Sequence, residues 1–211
     1  MNNSHENTAL SFERILFFSD AVFAIVITLL VLELKVPIMA REHFSESELR
    51  HQLVELIPKF LGFIYSFFIV GLMWVEHHRI FRFIDRFDFG LIWRNLLFLL
   101  FVAFIPFPTA LFSEYFYSHT AFILYAATFA VAALGKLWIW LYAVKNRDTM
   151  MIRDVDDEFI RQLTLRSLAV PIVCVFAIGM SFIAIAFGGI SFALIPLVAN
   201  LLYRRKREAA A

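Results

Sequence analysis

Cysteine is nearly missing from this chain: Cys174 is the only one in 211 residues, and it lies inside an apolar run. An intramolecular disulfide is therefore excluded, and cysteine usage says nothing about redox compartment. Seven glycines and six prolines are too few for a linker-rich or disordered chain. Polar residues are scarce too. Charged residues make up 18% of the chain and hydrophobic residues 61%, against roughly 45–50% apolar in soluble domains. So few polar side chains do not cover a water-facing surface. The stretch from Met1 to Glu13 lacks the basic segment and small-residue cleavage site of a signal peptide. The first apolar segment is accordingly expected to stay as a membrane anchor. There is no glycine-rich phosphate loop, no nucleophile motif, no internal repeat and no loop long enough for a soluble catalytic domain.

What the chain has in abundance is apolar length. Phe occurs 26 times, and the mean hydropathy is +0.76. A spanning helix needs about 20 mainly apolar residues, and six segments qualify: 15–34, 57–75, 91–112, 121–144, 168–187 and 190–203. The last is short and is set off from the fifth only by Gly188-Gly189. It reads as a short span, a tilted span or a re-entrant piece. Backbone groups in lipid must bond internally, and the alternation of a membrane barrel is missing. The fold class is therefore all-α, a polytopic membrane protein forming a single domain over 1–211. Ser45-Glu46-Ser47-Glu48 in the first loop has the pattern of a capped helix start.

Charge supplies an orientation. The connection after span two carries Arg79, Arg82, Arg86 and Arg94, and the one after span four carries Lys145, Arg147, Arg153, Arg161 and Arg166. The tail carries Arg204, Arg205, Lys206 and Arg207. The connections after spans three and five have no Lys or Arg, and in the first loop Lys35, Arg41 and Arg50 are diluted by glutamates. Basic segments thus fall on one side, which predicts both termini in the cytoplasm and an even number of spans. The same pattern accounts for the basic residues without nucleic acid as a partner. Two further features stand out. Lys136 lies inside span four, where snorkelling, pairing between helices and a misplaced span boundary are all open readings, and Trp138, Trp140 and Tyr142 after it resemble an interfacial aromatic belt.

The most informative stretch runs from Arg14 to Leu34. It places a carboxylate, Asp20, about one turn inside the first span. Intramembrane charge is costly and usually faces protein or a water-filled cavity. A helix N-terminus also attracts a carboxylate, so Ser19 or Asp20 could equally serve as a simple cap with Arg14 reaching to the headgroups. The residues alone leave both readings open.

Arg14, Phe18, Ser19 and Asp20 match every fixed position of the pattern RxxxFSD. The segment resembles the signature of the transmembrane protein 175 family of potassium channels. Supporting similarity appears in Trp74 to Phe81 and in Asn95 to Leu111, and a single six-span unit resembles the prokaryotic members. The resemblance implies a homotetramer in the plasma membrane, with the first helix of each subunit lining one pore and K+ or other monovalent cations passing through it. No cofactor and no enzymatic activity are expected, and no metal either, since two adjacent histidines, His77 and His78, are a weak signal for one. The family's apolar bottleneck falls on Ile25, and helical spacing puts Thr28, Leu29 and Leu32 on nearly the same face. This helix is apolar all round, so periodicity alone does not select that face. An apolar ring gates by dewetting. For Thr28 the reading of a cation-contacting hydroxyl stands beside a back-bond to the Ala24 carbonyl.

Asp20 is expected to pair with a residue of another helix or subunit. The candidates are Arg14, Trp74, His77 and His78. Arg14 lies about 240° away around the same helix, which disfavours it as an intrahelical partner. Glu33 and Lys35 close the first span near the outer interface, where Glu33 is either simply solvated or adds a negative ring at the outer mouth. Three readings compete with a channel. A secondary transporter would use Asp20 as a coupling-ion site. A membrane enzyme would use His77, His78 and an acid, and a scaffold subunit would transport nothing.

Overall fold

The computed structural model describes residues 2–39, 45–152 and 155–204, with side chains from Glu13 to Leu202. All six expected spans are present as helices long and apolar enough to cross a membrane: Glu13–Glu33, Ile57–Phe81, Phe89–Glu114, His119–Lys145, Asp157–Ser181 and Ile185–Leu202. The first is the inner part of α1 (Asn2–Leu29), finished by a 3₁₀ turn over Leu30–Glu33. The first loop carries α2 (Glu46–Glu55). As its sequence suggests, Ser45 caps it, the hydroxyl accepting from the Glu48 amide at 3.1 Å. Span two is α3 (Ile57–Phe81), with Pro58 in its first turn, where a missing N–H costs nothing.

Prolines explain why three spans come in two pieces. Span three is α4 (Phe89–Phe104) and α5 (Pro106–Glu114). Pro106 lacks the N–H that would bond back one turn, and the helix restarts there. Span four is a single helix, α6 (His119–Lys145). After the short α7 (Arg147–Met150), span five is built from the amphipathic α8 (Asp157–Ser167) and α9 (Ala169–Ser181). The break at Leu168 lies just ahead of Pro171. Span six is α10 (Ile185–Ser191) and α11 (Ile195–Arg204), joined by a 3₁₀ turn ahead of Pro196.

The junction between spans five and six differs from the sequence expectation. The chain turns at residues 182–184, not at Gly188-Gly189, which lie within α10. Gly188 has a packing role. A Cβ there would lie 2.7 Å from Phe122 Cζ and 2.9 Å from the Ala177 carbonyl oxygen. Without a side chain, α10 closes against α6 and α9. Span five also starts earlier than expected, because α8 continues into it.

Span four is the centre of the bundle. α6 packs along α4 on one side and α9 on another, and Phe122, Tyr125, Phe129 and Trp140 are fully buried along it. Buried hydroxyls join three spans where Ser66 bonds both Thr109 and Tyr125 at 3.0 Å. At the other end, the connections after spans two and four meet in a short antiparallel bridge. Asp85 donates to the Met150 carbonyl at 2.8 Å and Ile152 to the Phe83 carbonyl at 3.1 Å. The two basic connections therefore lie on the same side of the bundle, in keeping with the charge pattern.

Candidate functional site: the first helix and its anchor

α1 touches the rest of the bundle along one stripe only. Ser19, Phe23, Val26 and Leu30 are buried against α3 and α4. Their spacing of four, three and four residues is one helical face. The opposite face is open: Phe18, Ile25, Thr28, Leu29 and Leu32 are all exposed. Ile25 is 57% and Leu32 66% exposed. In a helix apolar all round, the structure separates what periodicity did not. The four residues expected to share a face do share one, and it is turned away from the subunit's own core.

Two polar contacts fix how this helix is rotated. Trp74 in α3 donates its indole N–H to Asp20 Oδ1 at 2.8 Å. One residue earlier, the Ser19 hydroxyl is enclosed. It accepts from Asn95 Nδ2 at 2.9 Å and donates to the Ile15 carbonyl at 2.9 Å. His77 completes the chain by donating Nε2–H to Asn95 Oδ1 at 2.9 Å. The His77 ring is 1% exposed, stacked on Phe98 at 5.4 Å and close to Phe81 and Phe23. Asn95 is also buried, at 2%. A buried amide in an apolar span is stable only when its groups are paired, and here both ends of the amide are used. Spans one, two and three are thereby tied at one level.

Of the four candidate partners of Asp20, the contact is with Trp74. His77 serves the neighbouring Ser19 through Asn95 instead. His78 is exposed and lies beside Trp74, with ring centroids 6.1 Å apart. Arg14 is exposed, and no described residue pairs with it. Phe18 faces outward at 53% exposure. The Thr28 hydroxyl reaches the Ala24 carbonyl at 3.0 Å and the Ile25 carbonyl at 2.9 Å, which is the back-bond expected of a threonine in an apolar helix. The residue itself is exposed on the open face. Glu33 is half-buried at the far end of the span. Asn95 opens a stretch of family similarity in the sequence, but its bonding role was not read there. Its signal was there, an amide next to Arg94 about two turns inside an apolar span, but its partners lie 18 and 76 residues away. Among the described residues, no three His, Cys, Asp or Glu side chains group to hold a metal.

Comparison with known proteins places this arrangement. A family model described as endosomal/lysosomal potassium channel TMEM175 matches residues 14–106, which include the Ser19, Asp20, Trp74, His77 and Asn95 contacts. A protein of Chamaesiphon minutus named as a potassium channel is 37% identical over 175 residues, 82% of this chain and 85% of that one. A Danio rerio protein named endosomal/lysosomal proton channel TMEM175 is 26% identical over 208 residues, covering 96% of this chain but 38% of its own length. Among solved structures, a crystal structure described as a lysosomal potassium-selective channel TMEM175 homolog from Chamaesiphon minutus superposes with a TM-score of 0.76. It is 35% identical, over 91% of this chain and 98% of that one.

Proposed function

The chain belongs to the transmembrane protein 175 family, and on that premise we propose that it is a potassium-permeable cation channel whose pore is narrowed by apolar side chains. The single observation that carries the pore assignment is the open face of α1. Ile25, Leu29 and Leu32 stay exposed while the opposite stripe is buried. Four subunits set around an axis would bring four such faces together, with Ile25 at the constriction. The proposal places the chain in the plasma membrane, crossing it several times, with both termini in the cytoplasm.

The physics of such a pore differs from that of a carbonyl-lined filter. A ring of Ile25 side chains offers no substitute for a hydration shell, so a narrow ring expels water and stops ions. A slight dilation rewets it, and partly hydrated cations pass. Thr28, one turn further along the same face, supplies a hydroxyl oxygen beside the ring. Glu33 near the far end attracts cations to the mouth. Asp20 and Ser19, held by Trp74 and Asn95, keep the face pointed at the axis. K+ is the permeant ion, and no cofactor enters this mechanism.

The transporter reading gains nothing from the geometry. Spans three, five and six are broken, yet α1 runs unbroken through Asp20 to Leu29. Flux into potassium-free liposomes separates the two readings. A channel passes K+ passively, with no dependence on a Na+ or proton gradient. A flux that vanishes when the second gradient is removed would establish a transporter, and no flux from folded, reconstituted protein would overturn both.

A further inference from the structure

Lys136 sits in the body of span four, 2% exposed, and among the described residues it makes no hydrogen bond or ion pair. It lines a cavity of about 170 Å³ with Leu72, Met73, Glu76, Arg166 and Asn200, far above the roughly 10–15 Å³ that admits one water. A second cavity of about 230 Å³, lined by Arg79, Gln162 and Arg166, shares Arg166 with it. Among the described residues that line the two cavities Glu76 is the one acid, and Glu158 bonds Gln162 beside the second. The Glu76 Oε1 accepts from Arg79 at 2.8 Å and from Arg166 at 3.0 Å, while its Oε2 is buried without a partner.

The charges do not balance. Three cations, Lys136, Arg79 and Arg166, face one carboxylate, which leaves an excess of two positive charges. Lys136 is fully buried while Arg79 and Arg166 are about a third exposed. It is therefore the lysine's share of that excess that sits in a low-dielectric interior and is costly, and water fills space without neutralising it. A cation is repelled by the same charges. A small oxyanion satisfies them: guanidinium groups match its geometry, and a lysine ammonium meets it as a point charge.

The location suits a phosphate. Lys136 is nine residues from the end of α6 at Lys145, on the side where the two basic connections meet, and so about 14 Å in from that end. Glu76 lies close to the same end of α3. The outer wall comes from α11, where Asn200 is exposed and adds an amide at the mouth. Basic pockets between transmembrane helices on this side suit anionic headgroups.

We propose that the cleft between spans two, four, five and six, centred on Lys136, Arg166 and Arg79, binds a phosphate oxyanion. Its source is the headgroup of an anionic phospholipid or free phosphate, and the test distinguishes them. The site is separate from the open face of α1, and its readout is binding, so it stands or falls independently of conduction. The full chain in neutral detergent is titrated with phosphatidic acid, with phosphatidylcholine and with inorganic phosphate, and thermal midpoint and native mass spectra are recorded. Phosphatidic acid is expected to raise the midpoint and to remain bound in the spectra, with apparent affinity at least tenfold weaker in Lys136→Met and restored in Lys136→Arg. Asn200→Asp, an exposed change that does not threaten folding, is expected to weaken binding by adding a negative charge at the mouth. A shift produced by inorganic phosphate alone, with the same variant dependence, assigns the site to a soluble anion. Equal binding by wild type, Lys136→Met and Asn200→Asp, or no binding of either phosphate source, overturns the proposal.

Discussion

Trp74 and Asp20 are 54 residues apart in sequence and joined by a 2.8 Å bond from indole N–H to carboxylate. Beside it, Asn95 bridges Ser19 and His77. The first helix is thus held by two bonds at adjacent residues, from two different spans. Contacts at adjacent positions point about 100° apart around a helix, so together they fix its rotation better than either does alone. Rotation decides which side chains line the open face.

Removing the outer bond is expected to loosen this hold without unfolding the protein. Interhelical hydrogen bonds in membranes average about 0.6 kcal/mol and reach about 1.7. Trp74→Phe keeps an aromatic side chain, though a smaller one, and loses the donor, so a destabilisation of at least that size is predicted, together with reduced K+ flux. Thermal unfolding in detergent and liposome flux measure the two effects on the same preparation.

Asn95→Leu is predicted to be worse. It removes two bonds at once and strands the Ser19 and His77 groups in a buried site, for a cost of about 1–3 kcal/mol. The midpoint of thermal unfolding should fall further than for Trp74→Phe. Equal or smaller loss would mean that the buried relay contributes little to the packing of α1.

Gly188→Ala tests the close approach of span six. Its Cβ would meet the Phe122 ring and the Ala177 carbonyl, and overpacking of this kind typically costs about 1–3 kcal/mol. Gly179→Ala is the control. Nothing lies within 4 Å of its Cβ position, so no clash opposes the better helix propensity of alanine inside α9, and its midpoint should equal or exceed that of wild type, by up to about 1 kcal/mol in stability.

The assembly around α1 is tested through cysteine. The native thiol, Cys174, is buried, so mild oxidation of the wild type should give no covalent dimer. Leu29→Cys puts a thiol on the open face, where copies meet in the proposed tetramer. Rapid dimer formation on oxidation is predicted, and a native mass of four chains by light scattering. A monomeric mass would remove the basis for a central pore.

Much of this was legible in sequence because lipid imposes a coarse rule. Six long apolar runs and the charge of their connections suffice to place the spans. The junction between spans five and six was not legible, because Gly188-Gly189 has the composition of a turn while Gly188 serves helix packing. The outward face of α1 was hidden for a related reason. With apolar residues all round, only the buried neighbours of Phe23, Val26 and Leu30 on other spans distinguish the two sides. Lys136 was equally opaque, since Glu76 and Arg166, which line the same cavity, come from distant parts of the chain. Thr28 and Trp74 were among the alternatives that the residues offered, and it took the fold to choose between those alternatives.

The central claim is that ions pass a constriction at Ile25. The measurement that tests it most directly is the reversal potential of the reconstituted protein in planar bilayers under a K+/Na+ gradient, wild type against Ile25→Asn. A wild-type current reversing towards the K+ equilibrium potential is predicted, with higher conductance and a reversal nearer zero once a polar ring replaces the apolar one. A mutant indistinguishable from a conducting wild type, or no current from correctly folded protein, would contradict the account.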